Sequence, residues 1–232
     1  TTLFIIGSLS SFALTLGWIP IASAIFSYVT YLSLMVVGEP FLSFQWDILL
    51  LETLLLSLPF LPMVRVHRLG SKIYFSHWSR LLVVALLAKL MLESGIVKFT
   101  SFAGDGTNTW RELTALDYHY WTQPLPHGLS KWIHSLPAWF DSLSLYFMYA
   151  IELVLPLCFF LPGNARRFAL IGQVLLQLAI LASGNYGFFN LLTLCLCIPL
   201  LDDQFIPSTI TNRFAKSITQ TTASKLAFRT PV

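Results

Sequence analysis

Long apolar runs separated by short polar turns make up most of this chain. Each run approaches the roughly 20 mostly apolar residues that an α-helix needs to cross about 30 Å of hydrocarbon. The two most C-terminal runs are short, so one of them could be re-entrant. The pattern predicts an all-α fold, a polytopic transmembrane helical bundle of about six or seven spans. The predicted spans cover about residues 3–19, 21–37, 44–64, 80–97, 143–161, 168–183 and 187–201.

Composition supports a membrane location for the whole 232-residue chain. Hydrophobic residues make up 56% and charged residues 11%, whereas a soluble domain carries about 25% charged residues. The mean hydropathy of +0.71 is also too high for a soluble domain. We expect one helical bundle over residues 1–203, which includes a loop at 98–142, and a short polar and basic tail over residues 204–232.

Basic residues are concentrated in turns that fall on one side of the predicted bundle. The positive-inside rule makes that side cytosolic, or matrix in a mitochondrion, and places the loop 98–142 on the opposite side. With six crossings instead of seven, the tail would change sides. On a seven-span topology the residues sharing the positive side are Arg65, Arg68, Lys72, Arg80, Arg166, Arg167, Arg213, Lys216, Lys225 and Arg229.

The loop 98–142 is rich in aromatic residues, which flexible linkers avoid. Trp and Tyr are favoured at membrane interfaces, where one end of the side chain is apolar and the other is wet. We therefore expect the loop to fold onto the mouth of the bundle. Residues 127–136 are predicted to form a short interfacial helix with Leu129, Trp132 and Ile133 facing inward and Lys131 facing outward.

Several ionisable residues fall within predicted spans, where they are costly and suggest function. Lys89 and Glu93 are four residues apart, so they share a helix face and can pair. A neutralised pair that fixes helix register is the favoured interpretation, and a site for an ion, a proton or a lipid headgroup is the alternative. Glu152 could be capped by Lys98, Arg111 or His119. The candidate intramembrane polar cluster is Lys89, Glu93, Lys98 and Glu152, and Asp47 is expected in the first turn of its helix at the interface.

Other polar positions are explained by packing, and motifs for chemistry are missing. Gln173 and Gln177 share a helix face and are expected to hydrogen-bond between helices. The sequence lacks a G-x-S-x-G elbow, a P-loop, a dinucleotide-binding glycine motif and a C-x-x-C pair. His127 and His134 lack a third ligand at metal-site spacing. We therefore expect no catalytic residue, no cofactor, no metal and no nucleic-acid partner.

Five stretches of the chain resemble the lipase maturation factor family over about residues 41–203. The resemblance is specific because the matching residues are long, irregular and rich in aromatic side chains. The stretches are Trp110–Tyr120 (WRELTALDYHY) followed by 122–126 (TQPLP), Gln45–Asp47 (QWD) with Leu49–Thr53 (LLLET), Leu92–Lys98 (LESGIVK), Ile151–Pro156 (IELVLP) and Ser183–Thr193 (SGNYGFFNLLT).

This resemblance implies a non-enzymatic endoplasmic-reticulum membrane protein that helps secreted lipases fold and assemble, with client lipases and membrane lipids as partners. Two departures from the family are Trp121, where a Glu is usual, and the stop about 30 residues after Asp203, where members continue into a polar domain thought to engage clients. The candidate partner surface on the loop is Trp110, Arg111, Asp117, Tyr118, His119, Tyr120 and Trp121.

Two alternatives remain open at the level of sequence. The chain could be a structural accessory subunit of a mitochondrial respiratory or ATP synthase complex in the inner membrane, with the loop as contact surface. It could also be a membrane lipid-binding protein or enzyme, with Lys89, Glu93 and His119 around a pocket.

Overall fold

The computed structural model describes residues 1–42, 44–67, 77–123 and 126–201. The predicted tail over residues 204–232 lies outside the described residues, as do the basic residues Arg68 and Lys72. The all-α fold is confirmed, and the described residues contain no strand beyond one isolated bridge between Trp18 and Val66. The helices are α1 Thr2–Thr15, α2 Pro20–Val37, α3 Gln45–Ser57, α4 His77–Thr100, α5 Ala115–Thr122, α6 Gly128–His134, α7 Ala138–Tyr149, α8 Leu155–Cys158, α9 Asn164–Ser183 and α10 Phe189–Leu196.

All seven predicted apolar runs coincide with helices. A 3₁₀ turn at Leu58–Phe60 extends α3, and a second at Ile198–Leu200 extends α10. By length and composition, three described helices could cross a membrane, namely Pro20–Val37, Ala138–Cys158 and Asn164–Ser183. At 1.5 Å per residue α4 reaches about 36 Å, but it carries four charged residues, more than any of these three helices. The total number of crossings stays a prediction.

The central helix of the bundle is α4, which contacts α3, α8 and α10. The face of α4 that carries Leu87 and Met91 is almost completely buried. Apolar side chains from α3, α8, α9 and α10 pack around this face. The core consists of Leu49, Val83, Val84, Leu86, Leu87, Ala88, Leu90, Met91, Phe159, Ala169, Leu170, Leu196, Cys197 and Leu200.

One end of the bundle holds the described basic turns. Arg80, at the start of α4, donates hydrogen bonds from Nε to the Pro199 carbonyl and from Nη2 to the Leu201 carbonyl. Arg166, at the start of α9, donates to the carbonyl of Phe159 at the end of α8. Both arginines line one cavity. The start of α4, the start of α9 and the end of α10 therefore meet at this end, as the charge pattern predicts, and α4 ends at the opposite end of the bundle.

A π-helical turn at Ala150–Val154 interrupts the long helix between α7 and α8. Pro156 follows this turn, and its ring nitrogen has no hydrogen to donate to the carbonyl of Glu152 four residues earlier. Wider π turns accommodate such a defect and frequently occur at functional positions. The π turn directs Glu152, which is only 4% exposed, towards the interior of the bundle.

Candidate functional site

The candidate site lies at the loop end of the bundle, where α4 meets the π turn. Lys98 Nζ is 2.6 Å from both carboxylate oxygens of Glu152. The Lys98 side chain is 16% exposed and that of Glu152 is 5% exposed, so this ion pair is largely withdrawn from solvent. Of the three partners predicted for Glu152, the structure therefore selects Lys98.

Close contact between α4 and the π turn brings the two charges together. A Cβ atom added at Gly95 would lie 2.4 Å from Leu153 Cδ2 and 3.3 Å from Glu152 Cβ. Real side chains do not approach this closely, so only glycine fits at position 95 without movement of Leu153. Small residues at helix contacts let backbones approach in membrane proteins. Gly95 lies three residues before Lys98 and therefore brings it within reach of Glu152.

The segment that follows α4 covers the ion pair. Buried Asn108 donates from Nδ2 to the Lys98 carbonyl at 2.9 Å and accepts from the amides of Trp110 and Arg111. The ring of Trp110 lies over Lys98, with Nζ 5.4 Å from the ring centroid, a cation–π distance. Tyr149 donates to the Trp110 carbonyl at 2.8 Å. The expectation that the loop folds onto the bundle mouth is confirmed here.

Sequence reasoning missed Asn108 and Tyr149. Asn side chains commonly accept a hydrogen bond from the backbone two residues on, so the turn at Asn108 could have been predicted from the sequence. The hydrogen bond from Asn108 to the end of α4 could not, because residues 98 and 108 become neighbours only after folding. Tyr149 lies in an apolar run where a tyrosine carries no distinguishing signal.

His119 links the loop to the turn between α9 and α10. Its Nε2 is 2.7 Å from the Tyr186 hydroxyl, and the two rings stack at 12° with centroids 6.2 Å apart. Burial lowers the pKa of His119, and the charge of Lys98 lowers it further. Burial also raises the pKa of Tyr186. Both shifts favour a neutral imidazole whose Nε2 accepts the hydrogen bond that Tyr186 donates.

A second attachment joins α5 and α6 to the end of α9. The carbonyl of Ser183 accepts one hydrogen bond from Gln123 Nε2 at 2.9 Å and another from Ser130 Oγ at 2.7 Å. Gln123 also donates to Ser130 Oγ at 3.0 Å. These bonds satisfy a carbonyl that would otherwise be left free at a helix end.

The predicted orientation of the short helix is wrong. The helix covers Gly128–His134, and its fully buried residue is Ser130, because that hydroxyl bonds the carbonyl at the end of α9. Leu129 is 41% exposed and Trp132 is 59% exposed, so both face away from the protein. Ile133 is half-buried, and Lys131 is exposed as predicted.

The seven candidate loop-surface residues separate into two groups. Trp110 and His119 are half-buried, and Tyr120 is 6% exposed because it packs inward. Burial raises the pKa of Tyr120 to about 12. The exposed group consists of Arg111, Asp117, Tyr118 and Trp121. The helices α5 and α6 pack against each other. We therefore group their exposed large apolar residues, Tyr118, Trp121, Leu129 and Trp132, as the aromatic loop surface.

The predicted Lys89–Glu93 pair is wrong. Lys89 Nζ pairs instead with Glu52 Oε1 on α3. The neighbouring helix supplies this carboxylate because α3 packs against α4, and Glu52 and Lys89 line the same groove between them. The four residues of the proposed cluster therefore do not meet at one site. Lys98 and Glu152 pair at the bundle mouth, and Lys89 pairs with Glu52 on the outer surface. Glu93 forms no ion pair with any residue that the structure describes.

Asp47 lies in the first turn of α3, as predicted, but it is only 2% exposed. Its carboxylate accepts a hydrogen bond from the Phe44 amide at 3.1 Å and another from the Tyr31 hydroxyl of α2. The burial follows from this bond to α2, which the position of Asp47 along α3 does not reveal.

The two buried amides of α9 differ in their hydrogen bonding. Gln177 accepts a hydrogen bond at Oε1 from Asn190 Nδ2 of α10 at 2.9 Å, as predicted for an interhelical bond. Gln173 is fully buried, and neither of its amide atoms has a hydrogen-bond partner within the residues that the structure describes. Over the same residues no group of three His, Cys, Asp or Glu side chains converges on a point that could hold a metal ion.

Comparisons with known proteins agree with the family resemblance of the five sequence stretches. The family model described as the lipase maturation factor transmembrane domain matches residues 1–208, which extends the resemblance to the N-terminal helices. Lipase maturation factor 2 of Xenopus tropicalis is 47% identical over 185 residues, 77% of this chain and 25% of that protein. Human lipase maturation factor 2 is 42% identical over 188 residues, covering 77% and 26% respectively. Human lipase maturation factor 1 is 32% identical over 198 residues, covering 84% and 34%.

The chain therefore spans about a quarter of the length of the curated lipase maturation factor 2 relatives that it matches. No solved structure is significantly similar to it.

Proposed function

This chain belongs to the lipase maturation factor family, and we propose that it assists the folding and assembly of secreted lipases without catalysing a reaction itself. It is a helical membrane protein, and the proposed location is the endoplasmic reticulum. The proposed contact with client lipases is the aromatic loop surface of α5 and α6.

The main support for this proposal is that α5 and α6 expose large aromatic side chains while hydrogen bonds hold both helices against the bundle. Tyr118, Trp121 and Trp132 are each more than half exposed. Large aromatic side chains contribute most to protein contacts and lose little conformational entropy on binding. The helices that carry them are fixed to the bundle through His119 and Ser130. A fixed apolar surface of this kind suits an incompletely folded client that still exposes its own apolar residues.

The orientation of the bundle supports the same proposal. The described arginines at the start of α4 and α9 lie at the end opposite the ion pair of Lys98 and Glu152. Under the positive-inside rule the basic end faces the cytosol, so the aromatic loop surface faces the lumen. Secreted lipases fold in that compartment.

The test is rescue of lipase secretion in cells from which the endogenous lipase maturation factors have been deleted. The chain is co-expressed with a secreted lipase, and active lipase in the medium is measured per unit of chain in the membrane fraction. The variant combines Tyr118→Ala with Trp121→Ala. The control is Phe168→Ala, because Phe168 is an aromatic residue at the basic end of the bundle that is even more exposed (67%) than Tyr118 and Trp121.

We expect the double variant to lower rescued lipase activity at least several-fold, while Phe168→Ala rescues like the wild type. Equal rescue by all three proteins would exclude the aromatic loop surface as the client contact. No rescue by the wild type, together with fixed-stoichiometry co-purification with respiratory or ATP synthase subunits in mild detergent, would refute the maturation function.

A further inference from the structure

A groove of about 110 Å³ lies between α3 and α4 on the outer surface of the bundle. Apolar side chains such as Ile48 and Leu90 form part of its lining. Its polar lining comes from both helices. The polar residues are Gln45, Glu52, Lys89, Glu93 and Ser94.

The groove carries one carboxylate more than it carries cations. Lys89 and Glu52 form an ion pair whose side chains remain 47% and 35% exposed. Glu93, one helical turn beyond Lys89, is exposed. It interacts electrostatically with Lys89, but it has no hydrogen bond or ion pair to any residue that the structure describes. If all three side chains are ionised, one positive and two negative charges leave a net charge of −1 in the groove.

If α4 crosses the bilayer as the sequence predicts, these charges lie at the depth of the hydrocarbon. Lys89 is 12 residues from the first residue of α4 and 11 from the last, which places it about 16–18 Å from either end of the helix. Glu93 lies seven residues before the end of α4, about 10 Å inside it. Hydrocarbon chains cannot solvate a carboxylate at this depth, so an isolated one becomes protonated or acquires a partner.

Charge and shape together indicate what covers the groove. A cation would neutralise Glu93, and a rod-shaped apolar body would cover the exposed groove that two neighbouring helices form. Membrane helices associate through close packing combined with interhelical polar contacts. We propose that the α3–α4 groove binds a membrane-spanning helix of a partner polypeptide, and that this helix carries one Lys or Arg near its middle, which pairs with Glu93.

This inference goes beyond the proposed function and does not depend on it. The groove lies on the outer surface of α3 and α4, whereas the aromatic loop surface lies on α5 and α6. A polar lipid headgroup fits less well, because headgroups remain at the interface whereas the excess charge lies about 10 Å inside the end of α4.

The test uses the full chain in phosphatidylcholine vesicles with a synthetic transmembrane peptide as the probe. The peptide is a leucine-rich helix with a single central Lys, and the reference peptide has Gln at that position. Förster transfer between labelled chain and labelled peptide gives the association constant for each. No lipase takes part, so failure here is distinct from failure of the proposed function.

We expect the wild-type chain to bind the Lys peptide about tenfold more tightly than the Gln peptide. Glu93→Gln abolishes this preference, and Glu93→Lys transfers it to a peptide with a central Glu. Glu112→Gln, a matched change at an exposed loop carboxylate, leaves it intact. Circular dichroism and a monodisperse elution profile show that each variant is folded.

Two results would overturn the proposal. One is equal affinity of the wild-type chain for the Lys and Gln peptides. The other is a preference for the Lys peptide that persists in Glu93→Gln, because the cation would then be recognised elsewhere, for instance through lipid headgroups.

Discussion

Lys98 Nζ contacts both carboxylate oxygens of Glu152 at 2.6 Å, and this ion pair joins the last turn of α4 to the π turn between α7 and α8. The ring of Trp110 lies over the ammonium group, and Tyr149 fixes the backbone of Trp110. The ion pair therefore connects α4 to the π turn, and the loop segment around Trp110 packs directly on it.

Removing either charge should destabilise the protein far more than removing both. Lys98→Met leaves the carboxylate of Glu152 buried without a cation, which costs about 3–5 kcal/mol. Combining Lys98→Met with Glu152→Gln removes the uncompensated charge, so we expect the double variant to recover most of the loss. The measurement is the midpoint of thermal unfolding in mild detergent, followed by circular dichroism.

The control for this prediction is Lys131→Met, because Lys131 is an exposed lysine of α6 that forms no ion pair with any residue that the structure describes. Removing its charge leaves no buried carboxylate without a cation, so the control should unfold close to the wild type. Equal losses in Lys98→Met and Lys131→Met would contradict the conclusion that Lys98 and Glu152 form a buried, stabilising ion pair.

Any side chain at position 95 should destabilise the contact between α4 and the π turn. The methyl group of Gly95→Ala would lie 2.4 Å from Leu153 Cδ2, and overpacking of this kind costs about 1–3 kcal/mol. We expect a lower thermal midpoint, and we expect Leu153→Ala to restore part of it when combined with Gly95→Ala. Gly104→Ala is the control, because nothing lies within 4 Å of its added Cβ. If Gly95→Ala and Gly104→Ala unfold alike, α4 and the π turn are not in close contact.

The positions of the main helices were predictable, whereas the charged contacts between them were only partly so. Continuous apolar runs fix helices such as α2 and α9, since length and hydropathy are properties of the local chain. The partner of Lys89 could not be predicted in this way. Pairing of residues four apart considers only one helix and selects Glu93, but Lys89 pairs with Glu52 of the neighbouring helix α3. Contacts between helices depend on packing that a single run of sequence does not encode.

Local pattern also failed to predict the orientation of α6. Its apolar residues suggest an inward face, yet the structure buries Ser130, whose hydroxyl satisfies the carbonyl of Ser183 at the end of α9. In a soluble protein, exposure of Leu129 and Trp132 would be unfavourable. At a membrane interface the outward direction is not purely aqueous, so apolar position alone does not determine which face packs on the protein.

Acid should weaken the attachment of the loop through His119. Burial lowers the folded-state pKa of His119 below its ordinary value of 6.5. As pH falls through about 6.5, the unfolded state gains a proton that the folded state does not bind, so the free energy of unfolding falls with it. The loss continues until pH reaches the lower folded-state pKa, and the contribution is fully present above pH 6.5. Thermal midpoints at pH 7.5 and 5.0 measure the effect.

His119→Gln isolates this contribution, because glutamine can still bond the Tyr186 hydroxyl but does not titrate. We expect the difference between the two midpoints to be smaller in His119→Gln than in the wild type. The same pH dependence in both proteins would assign the acid sensitivity to other groups.

Ser130 should hold α5 and α6 against the bundle. Its hydroxyl is fully buried, donates to the Ser183 carbonyl and accepts from Gln123 Nε2. Ser130→Ala removes that donor and leaves Gln123 with one acceptor fewer, at a cost of about 1–3 kcal/mol. This loss falls on the local opening of α6 rather than on the core around α4. We therefore expect amide hydrogen exchange in residues 128–134 to accelerate at least several-fold, while exchange in the middle of α4 stays unchanged.

Ser135→Ala is the matched control, because the exposed Ser135 hydroxyl bonds only the nearby Trp132 carbonyl among the residues that the structure describes. Unchanged exchange over residues 128–134 in Ser130→Ala would show that other contacts hold α6 in place. Lower rescued lipase activity in a variant with accelerated exchange would link the fixed position of the aromatic loop surface to its proposed contact with client lipases.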